Sequence, residues 1–221
     1  MQSRRSLWLR WVGANSLGEL LGLGATFALD ILIISRIQSG GAAAALLGIV
    51  LIAATGAVEG TVVGLFQWTA LRGSFPGIAR RAWVGATIIG AVVAWFLGSL
   101  PSTLMDMGGQ DAAAAGQEPA TAVVLLLAAA MGVVLGAVLS FPQWLVLRRH
   151  TAGAWLWIPA NCLAWAAGMP VIFASVDRAY AAYESGSLAG TLLIFAVALL
   201  LAGAVVGAIH GLALVRLAVN D

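Results

Sequence analysis

"GLFQWTALR" at residues 64–72 and "SFPQWLVLR" at residues 140–148 place Gln-Trp and Leu-Arg in one frame, 76 residues apart. The segment "GAVVGAIH" at 203–210 continues the pattern, with His210 at the position that Gln67 and Gln143 occupy in the first two copies. In each copy small residues precede the polar one at steps of three and four. Internal periodicity of this kind determines how the whole chain folds.

A second frame opens with Trp and carries a polar residue four positions later. It reads "WVGANSLGELLG" at 11–22, "WVGATIIGAVVA" at 83–94 and "WIPANCLAWAAG" at 157–168, so Asn15, Thr87 and Asn161 are equivalent. The two frames alternate along the chain. We therefore predict three tandem helical hairpins, spanning approximately residues 8–72, 83–148 and 155–216.

The composition is that of a membrane protein. Of 221 residues, 62% are hydrophobic and only 9% are charged, whereas a soluble domain carries about a quarter charged residues. All 11 basic residues are Arg, and a net charge of +2 spread along the chain argues against a nucleic-acid partner. Cys162 is the only cysteine, which excludes an intrachain disulfide and a multi-cysteine metal site.

Six stretches are long and apolar enough to span a bilayer. They lie at roughly 11–34, 44–71, 83–105, 121–147, 156–176 and 188–215. The first is interpreted as a helix and not a signal peptide, because it contains Glu19 and belongs to the repeat. Residues 102–120 form a predicted loop, so residues 1–221 make one transmembrane domain. Hairpins with an even number of spans share one topology, which predicts an all-α six-helix bundle with pseudo-threefold symmetry about the membrane normal.

Arginine predicts the orientation of this bundle. Nine arginines fall at the end that holds both termini, against Arg36 and Arg178 at the other. By the positive-inside rule both termini are cytoplasmic. Seven Trp flank the same end and are expected to form an aromatic belt in the headgroup layer: Trp8, Trp11, Trp68, Trp83, Trp144, Trp155 and Trp157.

In the opening segments, Trp68 with Arg72 and Trp144 with Arg148 are spaced i, i+4. Residues at this spacing share a helix face, which allows cation–π stacking. We interpret these four residues as anchors at the cytoplasmic interface.

Two triplets of polar residues inside the predicted bundle allow two interpretations. Asn15, Thr87 and Asn161 form one, and Gln67, Gln143 and His210 the other, each at one depth by repeat equivalence. The second triplet follows small residues that we call the glycine ridges: Gly56, Gly60 and Gly64; Gly132, Gly136 and Ser140; and Gly203 and Gly207. Because such residues favour close helix contact, the triplets can be interhelical hydrogen-bond partners. Alternatively, they line a polar vestibule that faces the cytoplasm and carries a ligand or ion.

Glu19 and Glu59 break the repeat. In the second and third hairpins, the position of Glu19 is occupied by Ala91 and Trp165. The position of Glu59 is occupied by Leu135 and Ala202. At a rise of 1.5 Å per residue, each acid lies about 12–13 Å along its helix from a flanking Trp, toward the middle of the membrane. The two acids are on neighbouring antiparallel helices. They are predicted to face each other and share a proton or a cation. The other reading is two protonated acids bonded to Asn15 or to backbone carbonyls.

No catalytic, metal-binding or phosphate-binding motif is present, and no cofactor is expected. "GLFQWTALR…ARRAWVGAT" and "SFPQWLVLRRH…WLWIPAN" resemble a loose group of bacterial multispanning membrane proteins with recurring Q-W-x-x-L-R segments. That resemblance implies a bacterial cytoplasmic (inner) membrane location, and no activity is known for the group.

The sequence as a whole favours a non-enzymatic packing, accessory or lipid-contacting component, with membrane lipids and other membrane-protein subunits as partners. The alternative is a small transporter or channel for a cation, a proton-coupled solute or a lipid-like ligand, acting through Glu19 and Glu59.

Overall fold

The computed structural model describes residues 3–37, 41–107 and 119–218. These residues form six long helices, and no strand occurs among them. All six helices are long and apolar enough to cross a membrane, as the hydropathy pattern predicts.

Helix α1 has three consecutive parts: Arg4–Gly18, a π-helical turn at Glu19–Leu23, and Gly24–Ile37. The others are α2 (Gly41–Leu71), α3 (Arg80–Met107), α4 (Thr121–Leu147), α5 (Trp157–Glu184) and α6 (Leu188–Leu217). The predicted loop at 102–120 starts later than expected, since residues 102–107 continue α3; residues 108–118 lie outside the described part of the chain.

Short turns connect α2 to α3, α4 to α5 and α5 to α6, and they make these neighbours antiparallel. Gly153 before α5 and Gly186 before α6 have φ values of 74° and 78°, which a residue without Cβ adopts without strain. Ser187 caps α6 by accepting a hydrogen bond from the Gly190 amide at 3.2 Å. Each helix packs on the next along the chain, and α6 packs on α1, so the six helices form a closed ring.

The starts of α1, α3 and α5 and the ends of α2, α4 and α6 meet at one end of the ring, which we call the tryptophan end. Its buried side chains form one apolar cluster around Trp11, Trp83 and Trp157, with Leu71, Leu147 and Leu217 among the residues around them.

Glycine ridges join α2 to α3, α4 to α5 and α6 to α1. A Cβ placed on Gly60 would lie 2.6 Å from the Ile88 Cα, and one placed on Gly203 would lie 2.6 Å from the Asn15 carbonyl oxygen. Real side chains do not tolerate such distances, so only glycine permits these backbones to approach. The prediction that the ridges face another helix is confirmed, and the helix they face belongs to the next predicted hairpin.

Candidate functional site

Three tryptophans close the core at the tryptophan end. Trp11, Trp83 and Trp157 have no exposed surface. Their rings pack edge to face in all three pairings, with centroids 5.8–6.2 Å apart, the geometry that aromatic quadrupoles favour. The predicted aromatic belt is therefore wrong for these three residues, because each indole N–H finds a partner inside the protein and the ring needs no interface.

Each of these indoles donates to the polar residue of a glycine-ridge helix. Trp83 Nε1 donates to Gln67 Oε1 at 3.2 Å, and Trp157 Nε1 donates to Gln143 Oε1 at 3.0 Å. The third donation runs from Trp11 Nε1 to His210 Nδ1 at 2.7 Å. The Trp-containing helix and its acceptor helix belong to different predicted hairpins in every case.

The two glutamine amides extend these bonds to the triplet of Asn15, Thr87 and Asn161. Gln67 Nε2 donates to Asn15 Oδ1 at 2.9 Å, and Gln143 Nε2 lies 3.0 Å from Thr87 Oγ1. Gln143 Nε2 is also 3.0 Å from Gln67 Oε1, which connects α4 with α2. Asn15, Thr87 and Asn161 each donate back to the carbonyl of the Trp four residues earlier.

We call the six residues of the two triplets the polar ring: Asn15, Thr87, Asn161, Gln67, Gln143 and His210. All are buried, with exposed fractions of 0–5%. They line one cavity of about 30 Å³, a space that holds one or two water molecules. The interhelical hydrogen-bond interpretation thus describes these contacts. The vestibule that faces the cytoplasm stays a prediction; at the tryptophan end, the indoles and the leucines around them pack over the polar ring.

His210 differs from its two glutamine counterparts. An indole nitrogen can only donate, so Nδ1 of His210 accepts and the imidazole carries its proton on Nε2. Among the described residues that Nε2–H has no hydrogen-bond partner, and His210 and Asn161 both line the cavity. The bond that Gln67 and Gln143 make with the other triplet is therefore missing at the third position.

Glu19 and Glu59 line the same cavity, and only 2% and 6% of their surfaces are exposed. We call them the acid pair. Their helices approach closely, since a Cβ on Gly22 would lie 3.3 Å from the Glu59 Cα. Glu59 Oε2 accepts a 2.5 Å hydrogen bond from Trp95 Nε1, a contact that the sequence did not reveal.

Glu19 is the first residue of the π-helical turn. Its Oε2 is buried and has no hydrogen-bond partner among the described residues. The predicted bond to Asn15 does not form, because the Asn15 side chain already bonds to Gln67 and to the Trp11 carbonyl. The structure thus brings both acids to one cavity and leaves Glu19 unsatisfied.

Asp30 is a further buried acid on α1. It is 6% exposed, and its Oδ1 accepts a 2.7 Å hydrogen bond from Thr55 Oγ1 on α2. Its Oδ2 has no partner in the described part of the chain. Asp30, Glu19 and Glu59 therefore all lie on the seam between α1 and α2.

The four predicted anchors are outside this core. The Arg72 guanidinium lies 5.3 Å from the centroid of the Trp68 ring, and Arg148 lies 4.9 Å from that of Trp144. The predicted cation–π stacking is present at both positions. In the described residues, no group of three or more His, Cys, Asp or Glu side chains is arranged to hold a metal ion.

Comparison of the chain with models of protein families, with characterised proteins and with solved structures gives no match. Any functional conclusion therefore depends on the geometry of this core.

Proposed function

We propose that the protein is a non-enzymatic multi-pass component of the bacterial cytoplasmic membrane, with both termini in the cytoplasm. Its role is packing with, or support of, other membrane-protein subunits and contact with lipids. Six apolar helices and nine arginines at the end that holds both termini support this location and orientation.

The proposed architecture is three tandem hairpins about a pseudo-threefold axis. Two further sets of repeat-equivalent positions support it, because each set meets at the one cavity. They are Val63, Leu139 and Val206, and Glu19, Ala91 and Trp165. The indole donations and glycine ridges that connect each hairpin to the next, and the last to the first, are further support.

The observation that favours this role over transport of a solute is that the polar ring is bonded largely to itself. Its amides and hydroxyl bind one another and the indoles around them, and almost none of their surface is exposed. Such bonds are worth about 0.6–2 kcal/mol each in membranes. A cavity of about 30 Å³ has no room for an organic solute.

An outward-facing groove between α2 and α3 supports lipid contact. It has a volume of about 400 Å³ and is lined only by apolar side chains, namely Val50, Ala53, Ala54, Val92, Val93 and Phe96. A lipid acyl chain matches this chemistry, because the groove offers no polar group and lies on helices that are apolar enough to span a bilayer.

Lipid retention in native mass spectrometry tests this role. The exposed Ala54 lies in the groove, so Ala54→Phe fills it; Val134→Phe on the exposed face of α4 is the matched control. We expect wild type and Val134→Phe to retain lipid through mild detergent extraction, and Ala54→Phe to lose it. Equal retention by all three proteins would contradict a specific lipid contact here.

One observation favours a second candidate function, the small transporter or channel. The buried Glu19 oxygen Oε2 makes no hydrogen bond that would contribute to packing, and Glu59 lines the same cavity. The cavity volume favours a proton or small cation over a solute or lipid-like ligand. Uptake of ²²Na⁺ or of protons into proteoliposomes, and its loss in Glu19→Gln, would support this candidate.

A further inference from the structure

The acid pair has no positive charge to balance it. Of the described residues that line the cavity, none is Arg, and the ionisable ones are Glu19, Glu59 and His210. His210 is neutral, since its Nδ1 accepts from Trp11. A buried carboxylate needs a partner or must become neutral, and two adjacent carboxylates do not both ionise.

The two acids differ in what already binds them. Glu59 Oε2 is held by the Trp95 indole, a donor-only group that stabilises a negative oxygen. Glu19 Oε2 is equally buried and receives no hydrogen bond from the described residues. The unfilled position therefore lies at Glu19, on the cavity side of α1.

The π-helical turn is a second feature of this position. It begins at Glu19 and ends at Leu23, within a helix that is otherwise α-helical. Single π-helical turns occur frequently at functional sites, because the extra residue redirects side chains and loosens the backbone hydrogen bonding. Here the turn begins at Glu19, the one cavity-lining carboxylate with an oxygen that has no hydrogen-bond partner among the described residues.

We propose that Glu19 and Glu59 form a binding site for one monovalent cation, either a proton or an alkali ion of the size of Na⁺. Carboxylate oxygens are ligands that hard cations prefer, and the cavity supplies them from Glu19 and Glu59. Its volume of about 30 Å³ leaves no room for the several waters that Mg²⁺ retains. One positive charge also matches a pair in which one carboxylate is ionised.

The surrounding charges are few. Glu59 faces Glu19 from α2, and His210 faces it from α6. Asp30 is the next buried acid along α1, and its Oδ2 is also unpaired among the described residues. The cavity-lining residues of α3, α4 and α5 include Ala91, Leu139 and Trp165 and contribute no titratable side chain. The site does not depend on the proposed packing role.

Infrared spectroscopy of the purified protein tests the site, because a buried protonated carboxyl group has its own carbonyl stretching band. The probes are a pH titration in sodium-free choline buffer, and NaCl against choline chloride at fixed pH. We expect wild type to show a band that decreases with rising pH, with added Na⁺, or with both. A response to pH alone identifies the occupant as a proton, and a response to Na⁺ identifies an alkali ion.

The response of the band to pH or Na⁺ should be lost in Glu19→Gln and in Glu59→Gln, because the single buried carboxyl group that remains stays protonated. It should be unchanged in the control Asp177→Asn, an exposed acid on α5. A band that responds to neither pH nor Na⁺, or a responsive band that persists in both Gln variants, would overturn the proposal. If one Gln variant fails to fold, the wild-type titrations and the other variant decide. Lipid retention should be unaffected by Glu19→Gln, so this site and the lipid contact fail independently.

Discussion

At the residue scale, the polar ring depends on side chains that make several bonds at once. Gln67 Oε1 accepts from both Trp83 and Gln143, while its amide nitrogen donates to Asn15. It connects its own helix, α2, with α1, α3 and α4, and it is 5% exposed. Replacing such a residue destabilises the protein mainly because its buried partners are left without hydrogen bonds.

Gln67→Met keeps the length of the side chain and removes its hydrogen bonds. We expect a loss of about 1–3 kcal/mol in stability, since Asn15 Oδ1 and Trp83 Nε1 are left without partners in an apolar interior. Thermal unfolding in detergent measures it, with Leu65→Met, at a more exposed position on α2, as the control. Equal melting temperatures for the two variants would show that the bonds do not hold the bundle together.

His210 provides a test of repeat equivalence. His210→Gln introduces the residue found at positions 67 and 143, whose Oε1 accepts from Trp11 and whose amide reaches toward Asn161. We expect it to be at least as stable as wild type. His210→Leu leaves the buried Trp11 N–H unpaired and should lose about 1–3 kcal/mol. Unfolding curves that coincide for the His210→Gln and His210→Leu variants would refute the equivalence.

At the element scale, the helices are held by backbone contacts at glycine. A Cβ on Gly136 would lie 2.5 Å from the Asn161 carbonyl oxygen and 2.9 Å from the Cys162 Cα, and neither backbone atom can move aside cheaply. The glycine ridges therefore set how closely α4 and α5 approach. That distance in turn places the acceptors within reach of the indoles.

Gly136→Ala should destabilise the protein by about 1–3 kcal/mol, the usual cost of overpacking. The matched control is Gly85→Ala on α3, where a Cβ would meet nothing within 4 Å. There we expect no loss, or a gain of up to about 1 kcal/mol from helix propensity. Melting temperatures of the two variants give the comparison. The contact assignment is wrong if both alanines shift stability alike.

The helices and ridges were predictable because hydropathy and small-residue spacing are local properties of the sequence. The partners in the core were not. The sequence positions of Trp11, Trp83 and Trp157, near the helix ends, are typical of an aromatic belt at the membrane interface. Only the tertiary structure shows that hydrogen-bond acceptors on other helices allow these three side chains to be buried. The spacing of Trp and Asn or Thr at i, i+4 was the one available signal of a shared face. The π-helical turn at Glu19 and the Trp95 bond to Glu59 left no sequence signal that we recognise.

At the scale of the whole molecule, six helices form a closed ring around a small polar cavity. The tryptophan cluster covers one side of this cavity. A second buried cluster, formed by Leu23, Ile172, Leu199 and Ala202, packs with side chains that include Trp95. Polar groups are thus largely satisfied inside, and apolar side chains such as Leu126 and Leu193 are exposed at the surface, as lipid requires.

The proposed orientation places the tryptophan end in the cytoplasm. In a Cys162→Ser background, single cysteines at the exposed positions Ala152 and Ser185 report the two ends of the bundle. A membrane-impermeant thiol reagent added to intact cells should label Ser185→Cys, and it should label Ala152→Cys only after lysis. The opposite pattern would invert the topology.

The closed polar core is tested most directly by the accessibility of Thr87, which lines the cavity and is 5% exposed. Thr87→Cys in the Cys162→Ser background changes little volume and places a thiol in the ring. We expect a small water-soluble maleimide to label Ala152→Cys rapidly in the folded protein, and to label Thr87→Cys only after unfolding in denaturant. Labelling of Thr87→Cys in the folded protein at a rate comparable to Ala152→Cys would show a water-filled path and contradict a closed, internally bonded core.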